Sequence, residues 1–114
     1  MRSLSMVAVL LGAFALASTA AAADLELGKQ VYAKKCAACH GPDGKGNAKM
    51  AEMLKVKIPP LAASAAKTDA ELLKAVSEGK KPMPPFGKTL SKDELDAVVA
   101  YAKGLATGKV AGGK

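Results

Sequence analysis

The sequence predicts an all-α fold in a single small domain. Three observations carry that prediction. Two segments open with a capping box and continue with apolar residues at helical spacing. Stretches dense in Gly and Pro separate them, and nothing alternates convincingly with period two. At 114 residues the chain has room for one core, and it contains neither an internal repeat nor an interdomain linker.

The chain begins with an export leader by its layout. Arg2 is the only charge before residue 24, residues 6–17 are apolar, and residues 18–23 are small. Ala21-x-Ala23 matches the site an export peptidase accepts, which makes residues 1–23 a cleaved signal peptide and Asp24 the mature start. The competing reading is a retained anchor, because residues 4–23 are uncharged and about long enough to span a bilayer.

Residues 24–105 form the expected domain. Asp24 can cap a first helix whose Leu27/Val31 and Gly28/Tyr32 rows lie on one buried face and which runs into Cys36–His40. Residues 41–47 are dense in turn formers. A short helix over residues 48–55 carries Met50, Met53 and Leu54 on one side, where methionine fills core gaps, and Pro59-Pro60 breaks it. Thr68-Asp69-Ala70-Glu71 opens a helix that Gly79 can end. Residues 80–87 hold three prolines and cannot be helical. Ser91-Lys92-Asp93-Glu94 opens the last helix, where Leu95, Val98, Val99 and Ala102 recur at i, i+3, i+4 and i+7. Gly104 is its natural stop, and residues 106–114 read as a flexible tail.

Beyond residue 23 the only aromatics are Phe86, Tyr32 and Tyr101, so a large self-sufficient core is excluded and something else must fill the interior. Cys36-Ala37-Ala38-Cys39-His40 identifies what that is. On a helical turn, positions i, i+3 and i+4 share a face, so two thiols and an imidazole meet one object. Zinc wants four ligands, but no third Cys or second His exists. A thioredoxin-like pair belongs beside a βαβ pattern, which is absent. C-x-x-C-H is the attachment signature of c-type haem, one per chain, with Cys36 and Cys39 forming the thioethers and His40 bonding the iron. A sixth ligand comes from another segment, and the candidates are Met50, Met53 and Met83. Met83 sits between Pro82 and Pro84-Pro85, where a stiff backbone loses less entropy in holding a weak thioether against iron, so the reading favours a His40/Met83 pair.

On these residues the chain resembles a class I cytochrome c of the short bacterial periplasmic type. The resemblance rests on Gly28 and Tyr32, Cys36-x-x-Cys39-His40, Met83-Pro84-x-Phe86, and Leu95-x-x-Val98-Val99-x-Tyr101, across nearly all of residues 24–105. It implies about four helices around one haem, with the first and last crossing at Gly28 under packed aromatics. It also implies that a carbonyl within Pro59-Pro60-Leu61 accepts the Nδ1–H of His40.

The net charge is +7, and Lys34-Lys35, Lys80-Lys81 and Lys88 flank the segments expected to border the haem edge. Such a ring steers a carrier toward acidic patches on redox partners, although solubilising lysines would look the same. No aromatics interleave with the lysines, which argues against nucleic-acid binding. The leading expectation is therefore a diffusible periplasmic one-electron carrier, monomeric and not an enzyme, with no membrane insertion after leader removal. Two alternatives stand beside it. One is a haem enzyme or gas-binding cytochrome with an open sixth position; the other is a haem subunit of a periplasmic dehydrogenase.

Overall fold

Residues 13–111 are described by a computed structural model, with side chains from Asp24 onward. The leader expected at residues 1–23 lies outside the described residues except for the backbone of residues 13–23, and so do residues 112–114. Five α-helices and one 3-10 turn follow one another: α1 Ala13–Lys35, α2 Ala37–His40, α3 Ala48–Leu54, the 3-10 turn Leu61–Ser64, α4 Asp69–Glu78 and α5 Lys92–Thr107. Among the described residues there is no strand, only an isolated bridge between Lys80 and Met83.

The expected first helix divides at Cys36, which is why five helices appear where about four were expected. Asp24 does not cap its start. It lies inside α1, because the alanines at 20–23, the strongest helix formers, carry the hydrogen-bond ladder through.

The crossing of α1 and α5 is the centre of the fold. A β-carbon on Gly28 would lie 2.9 Å from both the carbonyl carbon of Ala97 and Cβ of Tyr101, and closer still to the Ala97 oxygen. Only glycine permits that approach. Tyr32 and Tyr101 then meet at 5.3 Å between ring centroids, tilted by 52°. Val31, Phe86, Leu90, Leu95 and Val98 complete a small core, with Val98 only 1% exposed.

Both capping boxes form. Thr68 accepts from Glu71 N while Glu71 accepts from Thr68 N, and Ser91 and Glu94 repeat the exchange. Asn47 caps α3 by accepting from Met50 N. Gly79 ends α4 as expected, but Gly104 does not end α5. The helix continues to Thr107, Gly108 caps it in the left-handed region, and Val110 N returns to Gly104 O at 3.0 Å. Val110 packs on the bare Gly104 backbone, so that glycine serves a contact and not a stop.

Candidate functional site

Cys36 ends the α1 ladder, with its N–H donating to Tyr32 O at 2.9 Å, and begins α2 by accepting from His40 N at 2.9 Å. Cys36, Cys39 and His40 thus share one turn despite the break. Residues 41–47 fold back over it. Gly46 N donates to His40 O at 2.6 Å, Asn47 N to Cys39 O at 2.9 Å, and Asn47 Nδ2 to Ala38 O at 3.1 Å. These bonds satisfy the carbonyls that a short helix leaves open at its end. From the α1 side, the Tyr32 hydroxyl donates to Gly41 O at 2.6 Å in buried surroundings.

Met83 arrives from the irregular segment between α4 and α5. Lys80 and Met83 exchange two backbone hydrogen bonds, of 3.1 and 2.7 Å, which close a tight turn around Lys81-Pro82. Met83 faces the same cleft, of about 350 Å³, as Cys36, Cys39 and His40. That volume is within the usual range for small-molecule and cofactor sites. Leu54, Val56, Ile58, Pro59, Pro82, Pro84 and Phe86 supply apolar walls, and Lys35, Lys57, Lys80 and Lys81 complete the lining. All four residues singled out by the sequence therefore meet in one place, 43 positions after the motif in the case of Met83.

The electrostatics suit soft, neutral donors. Burial pushes the Cys36 thiol up to about 11, with Cys39 adding to the shift. Burial also holds His40 below its ordinary value, so the imidazole is neutral and keeps a lone pair at neutral pH. Both cysteines are free thiols. Among the described residues no group of three or more His, Cys, Asp or Glu could hold a bare metal ion. Two thiols on one turn, a neutral imidazole and a thioether around an apolar slot fit the attachment and axial bonding of c-type haem.

Two expectations need correction. His40 Nδ1 is buried without a hydrogen-bond partner, so no carbonyl of residues 59–61 accepts from it; that segment is instead tied by Leu61 N donating to Gly44 O at 2.7 Å. Met53 is no core gap-filler, since it is 69% exposed on α3. The cleft residues Leu54, Val56, Lys57 and Ile58 were not anticipated. A signal existed in the apolar residues Leu54, Val56 and Ile58, which Lys55 and Lys57 separate, although Leu54 ends α3 and Lys55 turns the chain with φ 56°. Of the expected lysines, Lys35, Lys80 and Lys81 line the cleft, whereas Lys34 and Lys88 are not among its lining residues.

No helix among the described residues is long and apolar enough to cross a membrane. The sequence profile of the cytochrome c oxidase, cbb3-type, subunit III family matches residues 23–101. The chain is 36% identical to cytochrome c6 of Synechocystis sp. over 90 residues, covering 79% of this chain and 72% of that protein. Cytochrome c6 of Picosynechococcus sp. is 35% identical over 99 residues, covering 82% and 83% respectively. Cytochrome c6 of Thermostichus vulcanus is 34% identical over 101 residues, covering 88% of each chain.

Proposed function

The chain belongs to the class I cytochrome c family, and from that premise we propose that it is a one-electron carrier and not an enzyme. Cys36 and Cys39 would hold haem c through thioethers, and His40 and Met83 would bond its iron. The carrying observation is that these four side chains line one apolar cleft although Met83 comes from a distant segment. Haem c supplies a one-electron iron couple, whose potential a His/Met pair raises.

The protein's own work is to keep both donors in place in either redox state. The bonds from Gly46, Asn47 and Tyr32 fix the His40 turn. The paired Lys80–Met83 bonds fix the other side. With both donors held against the iron, oxygen and peroxide would have no place to bind. Lys35, Lys57, Lys80 and Lys81 at the cleft steer the protein toward acidic patches on redox partners, and that attraction weakens as salt rises. Residues 1–23 direct export to the periplasm and are removed, leaving a monomer that neither inserts into a membrane nor binds nucleic acid.

The visible spectrum of the exported protein in both redox states tests this reading. A thioether–iron charge-transfer band in the far red of the oxidised form, with no carbon monoxide binding by the reduced form, is expected. Colourless protein, or red protein that binds carbon monoxide tightly, would move the assignment to an open-iron cytochrome or abolish it.

A further inference from the structure

Gly79 closes α4 with φ 68° and ψ 174°, a region of backbone space essentially reserved for glycine. Its neighbours are unusual. A β-carbon at this position would stand 2.7 Å from each of three atoms: Met83 O, Pro84 C and Pro85 N. All three are backbone atoms, so no rotamer change can relieve the clash. The segment they belong to has few other ties to the fold. Pro82, Pro84 and Pro85 have no N–H to donate. Lys80 and Met83 spend their amides on each other, and the chain is next anchored where Phe86 N meets Val76 O and Gly87 N meets Ser77 O, both at 3.0 Å. Met83 therefore hangs in a short strap whose two ends are fixed to the last turns of α4, and its middle rests directly on the Gly79 backbone.

We propose that Gly79 is a positioning residue for Met83: its missing side chain lets the Met83–Pro85 backbone lie against the end of α4 and so sets where the methionine stands in the cleft. This rests on Met83 being the sixth ligand. Any side chain at position 79 must move residues 83–85 outward by several tenths of an ångström or abandon the positive φ. Either change displaces a thioether that is a weak donor to begin with. The α1/α5 crossing and the His40 turn contain none of these atoms and stay as they are.

The test compares haem-loaded wild type, G79A and G108A, produced as full chains in a host that matures c-type cytochromes. Gly108 is the control because it too has a positive φ, of 79°, yet nothing lies within 4 Å of its added carbon. Wild type and G108A should show the far-red band and exclude carbon monoxide. G79A should keep its haem and helical circular dichroism, lose most of the band, bind carbon monoxide when reduced, and show a lower reduction potential. A G79A protein with the band and potential of wild type overturns the inference. So does a G79A chain that loads no haem where G108A loads normally, because Gly79 would then serve folding of the whole domain. Absence of the band from wild type itself removes the Met83 reading, and the positioning role with it.

Discussion

Tyr32 joins the helix crossing to the turn that carries His40. Its ring meets Tyr101, while its hydroxyl donates a buried 2.6 Å hydrogen bond to the carbonyl just after His40. Tyr32→Phe keeps the ring contact and strips that carbonyl of its donor, which should cost about 1–3 kcal/mol in denaturant unfolding of the haem-loaded protein. A loss below about 0.5 kcal/mol would show that the bond is replaced by water or carries no net weight. The pH dependence follows from the same burial, which pushes the phenol well above its ordinary value. Below about pH 10 the folded and unfolded phenols are both protonated, and the contribution is level. Above it the unfolded chain loses that proton first, so stability falls as pH rises. Tyr32→Phe should show a shallower alkaline decline than wild type, and equal slopes would contradict the assignment. At this scale the sequence exposed the residues with scarce chemistry: its only His and both Cys stand together, and Met83 is marked by its prolines. Lys57 escaped notice and Met53 was read as filling a core gap, because a lysine or methionine in a short segment looks the same whether it lines a cleft or faces water.

Among the elements, the pairing of α1 with α5 positions everything else. The carbonyl of Ala97 lies where a side chain on Gly28 would have to go, and a helical backbone cannot yield as a flexible side chain can. Gly28→Val should therefore destabilise the haem-loaded protein by about 3 kcal/mol, the upper end of ordinary overpacking costs, as read from chemical denaturation. Stability within about 0.5 kcal/mol of wild type would mean that the helices do not cross at this glycine. α4 and α5 were legible from their capping boxes, which act within four residues and need no tertiary partner. The end of α5 was not, because Gly104 accommodates Val110 and only the folded chain brings the two together. The start of α1 depends on the leader: with residues 20–23 attached, their alanines carry the helix back past Asp24, which can act as a cap only in a chain that begins there.

In the whole molecule, an aromatic-poor chain folds around a cleft that its own side chains line but do not fill. Leu54–Pro59, the motif turn and Lys80–Phe86 are far apart in sequence and supply the walls together. The sequence named the cofactor because two thiols and one imidazole at i, i+3 and i+4 have few other uses. It did not reveal the walls, since their meeting depends on tertiary ties, Phe86 and Gly87 to the end of α4 and Leu61 to Gly44, and not on local pattern. The positive lining was half legible: the paired lysines were visible, but which of them reach the cleft is decided by the fold. The central claim is that imidazole and thioether clamp one iron from two segments, and proton NMR of the reduced, haem-loaded protein with carbon-13 methionine methyls tests it most directly. Beyond the leader there are three such methyls, on Met50, Met53 and Met83. One should be displaced far upfield by the macrocycle's ring current and vanish in Met83→Leu; three methyls at ordinary positions, or a displaced signal that survives that substitution, would contradict the clamp.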